Sequence, residues 1–277
     1  MKKRNLTLGL TICSLLGLSA CSSLDDGLNT EQAKAEGTLM LKLSSGTQFG
    51  ETRAVNEESY KNTDNYTVQV FDKDQNEKLN CKGSELAYHM PLKLSIGSYT
   101  VKASYGTKDK ASTTGFYVEG TAEGTIKADG SEEVSVVCTP TCGKVSVVFD
   151  SNMSTFFSDY SVVFDQIKVL GDGGNVSWAK DQVDPWYIEL DKAGETIRFT
   201  VITATKDEYE TDYNGDGVKT ETDMKSGTFQ LERNKAYKLH VSPNYTPTGD
   251  GYLGISITID ERTNDIEIPI EVPITWI

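Results

Sequence analysis

Residues 212–223, DYNGDGVKTETD, hold the most specific arrangement of metal-ligating oxygens in the chain. A twelve-residue calcium loop presents oxygens at positions one, three, five, seven, nine and twelve, with glycine at six for the sharp turn. Counted from Asp212, these are Asp212, Asn214, Asp216, the Val218 carbonyl, Thr220 and Asp223, and Gly217 falls at six. Calcium held there would brace the loop, with the weak affinity of extracellular modules. Lys219 stands where a helix-flanked loop carries an apolar residue, and the flanks FTVITAT and GTFQLERNKAYKLHV alternate as strands do. The stretch is therefore no paired-helix sensor, and its NGDG core would also turn a hairpin without metal.

Other catalytic chemistry is poorly supplied. The two histidines, His89 and His240, sit in LAYHMPLKL and AYKLHV. Alternation there puts Leu86, Tyr88 and Met90, and likewise Tyr237, Leu239 and Val241, on the core face, turning both imidazoles outward. No G-x-S-x-G, Walker loop or H-E-x-x-H occurs. GDGG (171–174) lacks the lysine and helix of a phosphate cradle and reads as a turn. With 41 acidic residues, carboxylate pairs carry no spacing signal. The expectation is a protein that is not an enzyme. Exposed aromatics are candidates for stacking on sugar. In PWYIEL the alternation buries Trp186 and Ile188 and turns Tyr187 outward, and Tyr209 and Tyr213 flank the acidic loop.

Of five cysteines, Cys13 lies in a short apolar run after the basic start MKKRN, the pattern of an export signal. That run ends in Leu18-Ser19-Ala20-Cys21, which resembles a bacterial lipobox: residues 1–20 are removed and Cys21 is acylated, anchoring the chain by several acyl chains. Cleavage removes three bases and no acids and takes the net charge from −14 to −17. So acidic a surface repels nucleic acid and excludes a DNA- or RNA-binding role. The remaining thiols are Cys81, Cys138 and Cys142. CTPTC (138–142) has room for a small disulfide across a turn, and burial of the same thiols in or beside strands is the competing reading.

These groups need elements to hold them. Residues 21–36 are polar and read as a lipidated cysteine with a flexible tether. From residue 37 onward period-two alternation dominates: Leu39, Leu41 and Leu43; Tyr66, Val68 and Val70; Tyr99, Val101 and Ala103. No long amphipathic helix is legible. YTVQVFDKDQN (66–76), LSIGSYTVKASYG (94–106) and EEVSVVCTP (132–140) are echoed by YSVVFDQIKVLGDGGN (160–175), LDKAGETIRFTVITAT (190–205) and KAYKLHVSPN (235–244). A repeat of about a hundred residues fits one sandwich domain. The expected fold is all-β, with two tandem antiparallel β-sandwiches at 37–140 and 141–277. In IEIPIEVPITWI every even position is apolar, and Pro269 and Pro273 fall on one strand edge, so the tail should be an edge strand with that side open.

EGTLMLKLS, LSIGSYTVKASYG, EVSVVCTPTCGKVSVVF and YLGISITID resemble a family of Bacteroidetes surface lipoproteins catalogued as a domain of unknown function, across most of residues 36–260. More distantly the layout resembles the fimbrillins, two-domain pilus subunits and anchors with transthyretin-like sandwiches. In TRAVN, Arg53 resembles the site where some fimbrillins are trimmed. Asp25-Asp26 partly resembles the surface-export signal of Bacteroidetes lipoproteins. The resemblance implies a non-catalytic lipoprotein held in the outer membrane by its lipid and facing outward, with a glycan or surface protein as partner. Its role would be adhesion or glycan binding, or else that of subunit or anchor in a fimbrillin-like pilus.

Overall fold

The alternating segments form strands. Leu39, Leu41, Tyr66, Val68, Val70, Tyr99, Val101 and Ala103 are all buried, whereas Met40, Lys42 and Lys102 between them face solvent. The computed structural model describes residues 35–50, 55–207, 222–246, 252–260 and 270–271. No described helix is long and apolar enough to cross a membrane.

The first domain is built from β1 (Glu36–Ser45), β2 (Thr67–Asp72), β3 (Glu77–Lys82), β4 (Leu92–Ser95), β5 (Gly97–Gly106), β6 (Ala111–Ser112), β7 (Tyr117–Ile126) and β8 (Ser131–Pro140). Apart from β6, these make one sheet in the order β3-β2-β5-β7-β8-β1-β4. It folds over at β7 and β8, which share ladder pairs only at Val118–Pro140 and Glu119–Thr139. The two strands pass closely there, since a Cβ on Gly124 would lie 2.5 Å from Val134 Cγ2. The β8-β1-β4 part then closes the core over β3-β2-β5-β7.

The second domain repeats this plan. Its strands are β9 (Cys142–Phe149), β10 (Phe157–Asp165), β11 (Val176–Ala179), β12 (Trp186–Glu189), β13 (Gly194–Thr205), β14 (Thr222–Glu232), β15 (Ala236–Thr246), β16 (Tyr252–Asp260) and β17 (Ile270–Glu271). One sheet runs β11-β10-β13-β14 and the other β17-β16-β15-β9-β12-β6. The parallel β1–β8 pair recurs as β9–β15, the antiparallel β1–β4 pair as β9–β12, and the β2–β5–β7 run as β10–β13–β14. All three echoed sequence pairs fall on matching strands. Residues 39–142 with Tyr187 form one core, and residues 145–259 form the other. Each fully buried Val, Leu, Ile or Phe contributes roughly 1.5–3 kcal/mol. Ile270–Glu271 pairs with β16 at the sheet edge, the place expected for the tail, whose prolines lie outside the described residues.

LAYHMPLKL departs from its strand pattern. The Glu85 carboxylate accepts the Lys82 amide at 3.0 Å and turns the chain into a one-turn helix, α1 (Leu86–His89). Pro91 then blocks any extension of that helix. Leu86 is buried but Tyr88, expected in the core, is 87% exposed, and His89 is exposed as expected. His240 lies half-buried between the buried Leu239 and Val241.

Candidate functional site

The junction between the two domains gathers most of the buried polar chemistry. Strand β6 leaves its own domain and pairs with β12 of the second, Ser112 opposite Tyr187 and Ala111 opposite Ile188. The Glu189 amide donates to Lys110 O at 3.0 Å, extending that seam. As a result β12 is covered on both faces. Ile188 packs in the second core, while Tyr187 joins the first, with its ring 4.9 Å from Phe116 and 5.8 Å from Phe49. The expectation of an outward Tyr187 is thus corrected. It is 2% exposed, because the outer face of the second domain at this strand is the inner face of the junction.

Beneath that ring the Tyr187 hydroxyl donates to Glu57 Oε1. Lys144 Nζ, from β9, lies 3.0 Å from the same oxygen, 3.1 Å from Gly50 O and 5.9 Å above the Phe49 ring. Glu57 is fully buried and Lys144 nearly so. Close by, Thr141 Oγ1 donates to Glu189 Oε2 at 2.6 Å, and Lys108 Nζ stands 3.5 Å from Glu189 Oε1. Asn234, at φ 60°, accepts the Gln48 amide at 2.9 Å and donates to Gly46 O at 2.8 Å. A network of this kind fixes one arrangement of the two domains, since each buried polar group would be costly without its partner.

An aromatic file leads outward from the junction: Tyr187, Phe116, Tyr60, Tyr105 and Tyr66, with successive ring centroids 3.8–5.9 Å apart. Burial pushes the Tyr60 and Tyr66 phenols up, so both remain protonated. Beside the file opens a cleft of about 510 Å³, lined by Tyr60, Tyr105, Lys82, Asp109, Ser112 and Thr114, and completed by small or hydroxyl residues. Its back edge needs Gly106. With φ +89°, a Cβ there would lie 2.0 Å from Phe116 O. Its wall is stiffened by the Ser112–Thr114 hydroxyl contact at 3.2 Å and by the Phe116 amide donating to Tyr60 Oη at 3.2 Å. A second hollow of about 460 Å³ lies in the second domain beside Asp165, Lys168, the GDGG turn and Arg198. There Arg198 is committed to Asp165 by two 2.8 Å hydrogen bonds.

Cys21, Arg53, Tyr209, Tyr213, Asp212, Asn214, Asp216, Val218 and Thr220 lie outside the described residues. The backbone of Asp223 is in β14, opposite Thr203. Among the described residues no group of three or more His, Cys, Asp or Glu side chains is placed to hold a metal. Cys138 and Cys142 are free, buried thiols, which corrects the disulfide reading. They occupy two successive strands four residues apart, on the order of 10 Å along extended chain, against the roughly 5.5 Å that a disulfide spans. Cys138 Sγ instead contacts Ala103 O at 3.5 Å. Trp178 is buried in the second core, and Trp186 donates to Ser177 O at 3.0 Å.

Sequence reading missed the junction and the cleft. TKDKASTT (107–114), bracketed by Gly106 and Gly115, carries no motif, and nothing in the alternation around Lys144 sets that lysine apart. Only the glycine bracket hinted that this backbone is tightly constrained.

Residues 35–274 match the model of a family described as "Domain of unknown function (DUF4493)". No curated protein matches the chain. Among solved structures it is similar to a fimbrial assembly protein from Parabacteroides distasonis, at 15% identity and TM-score 0.39, covering 82% of this chain and 95% of that one. It is also similar to the fimbrial anchor protein Mfa2 from Porphyromonas gingivalis, at 11% identity and TM-score 0.38, covering 82% and 98%.

Proposed function

The chain belongs to the DUF4493 family, and from that premise we propose that it is a non-catalytic attachment protein of the outer cell surface. The observation that carries this reading is the junction, where a strand of one domain completes a sheet of the other over a buried Lys144–Glu57–Tyr187 cluster. An enzyme that closes on its substrate needs a hinge, whereas a protein that holds a cell to something needs its parts to move together. The arrangement also separates two ends. Ala35, where the described chain begins, accepts the Ile96 amide beside the start of β5. The other end of β5, Gly106, lines the cleft, about 30 Å away at roughly 3.3 Å per residue. Calcium at residues 212–223 would brace the second domain.

Deleting the gene should reduce attachment of whole cells to glycan- or protein-coated surfaces, and Cys21→Ala should release the protein from membranes. Attachment equal to that of the parent strain would overturn the reading. A pilus component is the second reading, favoured by β14, an eleven-residue strand that pairs only with β13 among the described residues. A soluble chain that stays monomeric at high concentration, before and after trypsin trimming, would count against a subunit role.

A further inference from the structure

We propose that the cleft beside Tyr105 binds a neutral saccharide. The inference rests on the attachment reading and names the chemistry of the contact.

The volume, about 510 Å³, falls in the roughly 300–1,000 Å³ range of small-molecule sites. The lining decides the ligand class. It contains no aliphatic side chain, so an acyl chain or other apolar ligand would gain nothing there. It carries one cation, Lys82, and one anion, Asp109, which cancel, and the chain as a whole is at net −14. A phosphorylated or polyanionic ligand would therefore meet no matching field. The rest is hydroxyl side chains, two phenol rings and the glycines Gly106 and Gly115. A pyranose suits this combination, since it offers C–H faces to an aromatic surface and a rim of hydroxyls that both donate and accept.

The groups are held before any ligand arrives. Gly106 allows the chain to double back against Phe116, the β6–β12 pairing ties the cleft wall to the second domain, and Tyr105 is stacked against Tyr66. Lys82 Nζ rests 3.3 Å from Thr67 Oγ1, which keeps the ammonium at the rim. Such preorganisation lowers the ordering cost of binding. Asp109 accepts from adjacent sugar hydroxyls, the Ser112 and Thr114 hydroxyls complete the contact, and Tyr105 carries the ring face.

The test uses the chain from residue 22 onward and saturation-transfer NMR with maltoheptaose, cellohexaose, mannohexaose and xylohexaose, alongside oligogalacturonate and a heparin tetrasaccharide as charged probes. At least one neutral oligosaccharide should bind. Asp109→Ala and Thr114→Val should each weaken it by about tenfold, the effect of one lost hydrogen bond of about 1.4 kcal/mol. Tyr88→Ala, an exposed aromatic outside the lining, should leave binding unchanged, and circular dichroism confirms that each variant is folded. No binding of any neutral probe at about 10 mM, preference for the charged probes, or binding untouched by Asp109→Ala and Thr114→Val would each overturn the proposal. Cells that lose attachment on gene deletion while the chain binds no neutral sugar would remove the cleft proposal and leave the attachment reading standing. Sugar binding without any loss of attachment would do the reverse.

Discussion

Replacing Lys144 by Met should uncouple the two domains. The Lys144 side chain is 8% exposed and its partner Glu57 0%. Methionine keeps most of the stem's packing but takes the Lys144 ammonium away from the buried Glu57 carboxylate, and breaking a buried pair costs about 3–5 kcal/mol. At about 2–4 °C per kcal/mol for a chain of this size, the melting temperature should fall by about 10 °C. All three tryptophans, Trp178, Trp186 and Trp276, lie in the C-terminal half, so their fluorescence follows the second domain while far-ultraviolet circular dichroism follows both. The two transitions should coincide in the natural protein, as expected for one cooperative body, and separate in Lys144→Met. Adding Glu57→Gln removes the other half of the pair, so the double variant should be more stable than the sum of the singles by about 2 kcal/mol. A melting shift under about 2 °C, or strict additivity in the double variant, would refute a buried pin.

Three further outcomes follow from buried or patterned groups. Glu195 lies on the core face of β13, 3% exposed, and burial pushes its carboxyl up against the partial help of the Lys168 backbone amide and of the Lys168 ammonium, 3.9 Å away. A raised folded-state value means the native state holds its proton longer than the unfolded chain, so stability falls as pH rises from the ordinary carboxylate value to the folded one. Glu195→Gln should flatten that fall and raise the melting temperature at pH 7, and an unchanged pH profile between 4 and 8 would contradict it. Burial also pushes the Cys138 thiol up to about 12 and Cys142 well above its ordinary value, so neither should react with iodoacetamide at about pH 8 until the chain unfolds; rapid native labelling would show them accessible. Millimolar calcium should raise the melting temperature, and Asp212→Ala with Asp216→Ala should abolish the rise; a natural chain that ignores calcium makes residues 212–223 only a turn.

Strand positions were legible because one buried face imposes period two, and Leu39, Val68, Val101 and Leu239 obey it. The duplication was legible for the same reason, since both halves repeat the burial pattern that a shared topology demands. Parity failed where a second partner covers the usual solvent face. Tyr187 alternates correctly for an isolated second domain, but β6 and the first core lie against it. Alternation also failed at Tyr88, where a local carboxylate–amide contact from Glu85 and the rigid Pro91 override the pattern. Lys144 and Glu57 were invisible because their meaning lies in a contact spanning 87 residues, and no local spacing encodes it.

The duplication sets the two candidate sites in one frame. The cleft wall, residues 107–116, connects β5 to β7, and the acidic stretch lies in the connection from β13 to β14, the same step of the repeated plan. Loops at equivalent positions are free to diverge because the strands beneath them already satisfy the core. One copy is a short polar link whose backbone makes a cross-domain pair with β12. The other is longer in sequence and carries Asp212, Asn214 and Asp216, with Asp223 already in β14. Legibility ran opposite to structural support. Spaced carboxylates announce a chemistry from sequence alone, whereas Ser112, Thr114 and Asp109 become a site only once β12 holds their loop beside Tyr105.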